Sequence, residues 1–348
     1  MVDYDRLFPY GWTEPVAEEY TSLIEEGCMP ARVIRMDRSE CDVATPTGLA
    51  RARCHRADSA VSGLCTGDWV SIDAESTVQQ LLPRRSAIMR ASVSGRSQGQ
   101  VLAANVDTVL VCTAADGDID LARIERMLTL AWESNAQPIV LLTKADATTD
   151  LPLDDVRTVA PGAATLAVSA ASGVGLDVLV AMLDGTVALI GPSGAGKSTL
   201  ANALLGAEVF AINAVRAADK KGRHTTVHRE LRPLPGGGTL IDTPGLRGIG
   251  LWDASVGIEK TFSDIESLAA QCRFTDCAHR DEPGCAVLEA IENGALTGRR
   301  LDSYQKLARE NEWVQARTDK RLQAERQRVW RDISKQQRRM YRERNSRH

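Results

Sequence analysis

Between Ala31 and Leu82 the apolar positions fall in short β-prone runs, ARVIRM, CDVAT, LARARC, DWVSID and TVQQLL, divided by Gly, Pro, Asp and Ser. No helical period connects them, and the rhythm predicts a small antiparallel barrel of the OB type. The next stretch, RRSAIMRASVSGRSQGQ from Arg84 to Gln100, is polar, basic and rich in Gly and Ser. It predicts a linker or mobile loop. From Val101 short apolar runs alternate with helical patterns: DTVLVCTA, LARIERMLTLAW, PIVLLTK, TLAVSA, TVALIG, STLANALLG and TLIDTPG. Such alternation predicts a parallel sheet wrapped by helices. Beyond Leu251 the pattern is helical, is interrupted by a Cys/His cluster, and ends in a long charged helix with few apolar anchors. No internal repeat is present.

A chain of 348 residues exceeds one ordinary core, so several domains are expected. With 43% apolar and 25% charged residues it reads as a soluble globular protein. No apolar run is long enough to cross a bilayer, and the start, MVDYDRLFPYGWTEP, carries no apolar leader pattern. We expect a cytoplasmic protein with no membrane contact. The net charge of -4 hides an asymmetry, because residues 299–348 hold sixteen Lys or Arg against seven Asp or Glu. That tail is a candidate polyanion contact, or else a solvated helix whose charges merely solubilise it. Five cysteines, Cys28, Cys41, Cys54, Cys65 and Cys112, stand singly and read as buried small thiols of a reducing compartment.

The residues Gly191 to Ser198, GPSGAGKS, follow the apolar strand VALI and precede the helix-forming STLANALL. In that context the backbone of Gly191, Pro192, Ser193, Gly194, Ala195 and Gly196 can turn its N–H groups onto phosphate oxygens at a helix N-terminus. Lys197 would reach the β- and γ-phosphates, Ser198 would bind Mg²⁺, and Thr199 would complete the loop's contacts. The alternative is a Gly-rich turn without a ligand. TLIDTPG ends a strand with Asp242, able to hold Mg²⁺ through water, and Gly245, whose amide can sense the γ-phosphate. TKAD, comprising Thr143, Lys144, Ala145 and Asp146, offers the Asp146 carboxylate to the guanine N1 and N2 donors with the Lys144 stem along the base. Adenine lacks that donor pair, so the carboxylate discriminates between the bases. VSAASGVG places Ser169 and Ala170 where a backbone can support the guanine O6, although alone it is only a Ser/Gly turn.

A separate cluster, CRFTDCAHRDEPGC, brings Cys272, Cys277, His279 and Cys285 within one short segment. Three thiolates and an imidazole can close a tetrahedral Zn²⁺ site that leaves no position for substrate, so one structural zinc per chain is expected. Chance grouping of reduced cysteines is the alternative.

Ordinary GTPases present the phosphate loop before the base-reading motifs; here TKAD and SA come first. That permuted order, AANVD at Ala103 to Asp107, and KGRHTT at Lys221 to Thr226 resemble the RsgA (YjeQ) family of GTPases that depend on the small ribosomal subunit. The resemblance covers nearly the whole chain. It implies a multidomain protein: an N-terminal extension over residues 1–30, an OB-fold-like barrel over 31–85, a circularly permuted α/β P-loop G domain over 86–250, and a zinc-binding, α-helical C-terminal domain with a basic tail over 251–348. Thr143 stands where the family usually has Asn, a residue that helps tie the base loop to the P-loop. Leu246 follows DTPG where many GTPases place a water-orienting Gln, which makes His224 in GRHTT the candidate catalytic partner of Lys197, with Thr225 and Thr226 beside the nucleotide. A surface histidine without a role is the alternative. The implied activity is hydrolysis of GTP to GDP and phosphate during late maturation of the 30S subunit, with 16S rRNA as a partner and the chain a monomer. The competing class is a GTP-dependent RNA-binding scaffold with negligible turnover.

Overall fold

The computed structural model describes residues 4–54, 63–91, 99–210, 229–242 and 250–316. The first strands are β1 (Met29–Met36), β2 (Glu40–Thr45), β3 (Gly48–Arg53), β4 (Trp69–Ile72) and β5 (Val78–Leu81). β1 to β3 form an antiparallel meander, β4 lies antiparallel to β1, and β5 pairs with β4. A parallel bridge between Arg53 and Thr77 then brings β3 against the entry to β5. This closure of a five-stranded Greek key is the OB arrangement. Ala31, Val33, Val43, Ala52, Val70, Ile72 and Val78 fill its interior.

Strands β1 and β4 do not alternate between buried and exposed positions; all four residues of β4 are buried. The cause is the segment before β1. A 3-10 turn at Asp5–Tyr10 and helix α1 (Glu14–Thr21) lay Leu7, Trp12, Val16 and Tyr20 over Ile34, Ala44, Trp69 and Leu82 on the outer face. Trp12 meets Trp69 edge-on at 4.9 Å between ring centroids, a favoured geometry for two aromatic quadrupoles. Cys41, Cys54, Cys65 and Cys112 are buried as expected, whereas Cys28 is partly exposed.

The stretch expected to be a linker behaves otherwise. It contributes β6 (Ala87–Arg90), antiparallel to β7 (Gln100–Ala104), with Ile88 fully buried against α2 (Leu121–Glu133). Only residues 92–98 of that stretch lie outside the described residues.

The remaining strands are β8 (Thr108–Ala114), β9 (Gln137–Thr143), β10 (Ala164–Val168), β11 (Thr186–Ile190), β12 (Glu230–Pro233) and β13 (Thr239–Asp242). Helices α3 (Leu153–Thr158), α4 (Leu176–Met182) and α5 (Lys197–Leu205) connect them. In space the order is β10, β9, β8, β11, β13, β12, parallel except for β12. β12 would be an open edge, but β1 of the barrel pairs with it at Arg35 and Glu230. One eleven-stranded sheet therefore runs through both units.

Helices α6 (Ser255–Thr261), α7 (Ser263–Ala269), α8 (Ala286–Glu292) and α9 (residues 298–316) form the C-terminal unit around Phe262, Ile265, Val287 and Leu301. α6 crosses α2 so closely at Gly257 that a Cβ there would lie 2.1 Å from the Thr129 carbonyl oxygen. The fully buried Glu125 of α2 accepts from both Arg299 and Arg300, and Arg300 also bridges Asp264. Arg126 forms a second bridge from α2, to Glu310 of α9. The first two arginines of the basic tail thus neutralise the buried Glu125 and the half-buried Asp264, and are engaged within the fold. Residues 317–348, the rest of that tail, lie outside the described residues.

Candidate nucleotide site and metal cluster

The parallel strands β8, β9, β11 and β13 deliver their carboxyl ends to one side of the sheet, where ligands of open α/β folds bind. At Gly191 the chain leaves β11 with φ +156°, and a Cβ there would sit 2.4 Å from the Cys112 carbonyl oxygen. Only glycine lets the loop pass so near β8. The loop exposes Ser193 and Gly194, buries Ala195, and enters α5 through Gly196 in the left-handed conformation. Pro192, Ser198 and Thr199 are partly buried around it.

Lys197 opens α5 with its side chain folded into the loop. Its Nζ donates to the carbonyls of Gly191 at 3.0 Å and Pro192 at 2.8 Å. Burial lowers its pKa, and the neighbouring Cys112 and Asp242 oppose that shift. Asp242 terminates β13, where burial raises its pKa against the pull of Lys197 and Ser198. The Ser198 hydroxyl reaches Asp242 Oδ2 at 3.5 Å, while Oδ1 is buried with no hydrogen-bond partner among the described residues. A buried carboxylate oxygen left unpaired beside a hydroxyl matches what a hard cation requires of its ligands.

Thr143 ends β9 and is almost fully buried. Its Oγ1 lies 2.8 Å from the Ala195 carbonyl and 3.2 Å from that of Thr113. A hydroxyl has one proton, and the shorter contact ties the TKAD segment to the glycine-rich loop. Lys144 follows with φ +57° and pairs with Asp116 at 2.8 Å, a partner the sequence did not reveal. Ala145 is partly buried, and Asp146 is exposed on the 3-10 turn Ala145–Ala147. Val168 is in register with Thr143, so the Ser169 and Ala170 turn stands beside this segment. Ser169 Oγ accepts from the Ser172 amide at 3.1 Å and its carbonyl accepts from Gly173, fixing that turn from within. The expected residues Gly245, His224, Thr225 and Thr226 lie outside the described residues. A cavity of about 570 Å³ opens next to the base-reading segment rather than at it, lined by Asp116, Asp118, Asp150 and Asp155, among others.

The side chains of Cys272, Cys277, His279 and Cys285 converge, with their ligand atoms all within 4.8 Å of one another. His279 Nδ1 lies 3.3 Å from Cys285 Sγ and 3.7 Å from Cys272 Sγ, and the two sulfurs are 3.9 Å apart. A tetrahedron built on Zn–S of about 2.3 Å and Zn–N of about 2.0 Å has edges of roughly 3.5–3.8 Å, so the donor set fits such an ion. Cys285 caps α8 by accepting from the Leu288 amide, and the Glu282 carboxylate gathers the amides of Ala278, Arg280 and Asp281. The loop is held by its own hydrogen bonds in the shape that brings the four donors together.

Residues 81–252 match the family model described as RsgA GTPase. A protein of Streptomyces avermitilis named small ribosomal subunit biogenesis GTPase RsgA is 54% identical, over 93% of this chain and 90% of its own length. A crystal structure of YjeQ from Thermotoga maritima superposes with a TM-score of 0.58 at 25% identity, covering 82% of this chain and 98% of that one. YloQ, whose structure is described as a circularly permuted GTPase, shares the fold with a TM-score of 0.56 at 21% identity, covering 82% of this chain and 96% of that one. The permuted order of motifs and the extent of these matches agree, and the chain belongs to the RsgA GTPase family.

Proposed function

We propose that this chain is a GTP-hydrolysing switch that acts on the small ribosomal subunit late in its maturation, as a cytoplasmic monomer. The observation that carries the reading is the meeting of Thr143, Ala195, Lys197 and Asp242 at one end of the sheet. The loop amides of Gly191 to Gly196 bind the phosphates, Lys197 turns from its two loop carbonyls to the β- and γ-phosphates, and Asp146 reads guanine. Ser198 and Asp242 hold Mg²⁺, which supplies charge neutralisation at the phosphates. His224 orients water in place of the glutamine that Leu246 replaces, and Zn²⁺ in the Cys272, Cys277, His279 and Cys285 cluster is structural. No helix among the described residues is long and apolar enough to cross a membrane.

Thr143 takes over the tie usually made by Asn. Thr143→Val orphans the Ala195 carbonyl in a buried place, and release of fluorescent GDP should accelerate about tenfold, while Thr143→Asn should restore slow release. Unchanged release in the valine variant would show that the tie does not hold the nucleotide.

Hydrolysis should be slow in isolation and rise by orders of magnitude on 30S subunits, where His224 would meet the attacking water. Docking rests on Lys and Arg contacts to phosphate, so stimulation should fall steeply with salt while basal turnover holds. The decisive assay measures initial rate against 30S concentration at two salt levels, with 50S as control, for wild type, His224→Ala and a truncation after Ala316. Cutting earlier, after Leu301, would remove Leu307 and Val314, which are buried in the fold. Equal stimulation by 50S, or a salt-insensitive response, favours the scaffold reading.

A further inference from the structure

Arg32 of β1 is 1% exposed, and among the described residues its guanidinium has no carboxylate acceptor. Nη1 donates to the Tyr10 carbonyl at 2.7 Å, Nε to that of Gly67 at 3.3 Å, and Nη2 to the Asn105 carbonyl at 3.1 Å and Thr186 Oγ1 at 2.8 Å. Its guanidinium carbon stands 5.0 Å from the Trp69 ring centroid. Burial lowers its pKa to about 10. Gly11 is shaped around it, with φ +85°, and a Cβ there would lie 2.4 Å from Nη1. Burying a cation without an anion is costly, so four aimed acceptors and a fitted glycine mark a built site.

Its acceptors come from different parts of the chain. Tyr10 belongs to the N-terminal segment and Gly67 to the loop entering β4. Asn105 lies in the AANVD motif, whose role the sequence left open, and its side chain also donates to Gly67 at 3.0 Å and accepts from the Arg85 amide at 3.0 Å. Thr186 is the first residue of β11, and its hydroxyl meets that of Thr239, the first residue of β13, at 3.1 Å. Those two strands end at the glycine-rich loop and at Asp242. Each is short, five and four residues, and hydrogen-bonded to its neighbours along its length. One short strand each thus joins the phosphate end to the foot on which Arg32 is seated.

We infer that Arg32 is a positioning residue that couples the barrel to the two phosphate-binding strands, so that barrel strand β1 responds to the nucleotide state. The inference rests on the nucleotide reading above. β1 also pairs with β12 at Arg35, so the response enters the barrel along a continuous sheet.

Hydrogen–deuterium exchange on the full chain, in GDP and in a non-hydrolysable GTP analogue, tests this. In wild type, peptides spanning Met29–Met36 should exchange at rates differing at least about fivefold between the two states. Thr186→Val, which preserves shape and leaves the guanidinium its three carbonyls, should shrink that difference to below about twofold, and Thr186→Ser should restore it. Arg32→Met should abolish it, and the valine variant carries the test if that protein does not fold. A wild-type β1 that exchanges identically in both states, while residues 191–199 gain protection on binding, overturns the coupling alone. An undiminished response in Thr186→Val does the same. If neither nucleotide protects residues 191–199, the nucleotide reading falls and the coupling with it.

Discussion

Lys197→Ala should fold and should hydrolyse GTP about 10²–10³-fold more slowly than wild type, the scale on which a preorganised charge-stabilising donor acts. The side chain is 6% exposed, so its ammonium group acts in a site largely shielded from water, where a charge aimed at phosphate oxygens is strong. Removing it costs the free protein two hydrogen bonds, one to the carbonyl of the buried Gly191 and one to that of the half-buried Pro192. It also removes the charge that lowers the pKa of Asp242, which burial already raises, and should raise it further. The variant should therefore lose its catalysis while its far-ultraviolet circular dichroism stays that of wild type and its melting temperature falls by only a few degrees. Single-turnover hydrolysis with saturating GTP is the measurement, and undiminished turnover would remove the phosphate role from this loop.

Removing the metal should unfold the C-terminal unit and spare the nucleotide site. Cys285 is part of the same apolar cluster as Phe262, Ile265 and Val287, and Cys272 and Cys277 pack against it, so the ligands are also core residues. Structural zinc contributes roughly 10–16 kcal/mol in small domains, on the scale of the roughly 5–15 kcal/mol net stability of a whole domain. One equivalent of Zn²⁺ should copurify. Cys277→Ser or prolonged chelation should release it and open residues 250–316 to proteolysis, with GDP affinity held within about twofold because no ligand touches the glycine-rich loop. Carefully purified protein without stoichiometric metal, and with an intact C-terminal unit, would leave the cluster as reduced thiols only.

How far these features could be read in advance depended on how local their causes are. The barrel strands and the alternating β and α elements announced themselves because each carries its own apolar run. GPSGAGKS declared its conformation because Gly191 and Gly196 are demanded by backbone geometry. The strand Ala87–Arg90 escaped notice because its one deeply buried residue, Ile88, is apolar for the sake of α2, a partner distant in sequence. Trp12, Val16 and Tyr20 are spaced as a helix face, yet nothing local tells that a barrel's outer wall awaits them. Glu125, Arg299 and Arg300 are the sharpest case. Each looks like a solvated charge, and their burial follows from partners more than a hundred residues apart. Pairing of that kind leaves no trace in composition or period.

The place of β11 has a consequence for the order in which the protein is made. β8, β9 and β10 emerge from synthesis first and can form the base-reading half of the sheet before the phosphate loop exists. β11 then adds beside β8, at the end of the series opposite β10. The barrel faces a longer wait, because Arg35 of β1 has no partner on that side until Glu230 is made. Beyond Arg32, where its pairing with β4 stops, β1 is an unpaired edge during elongation, the kind of surface that seeks other strands. The two partly exposed charges at that end, Arg35 and Asp37, engage Asp42 and Arg51 within the barrel's own meander, and they keep that edge polar until β12 arrives to close it.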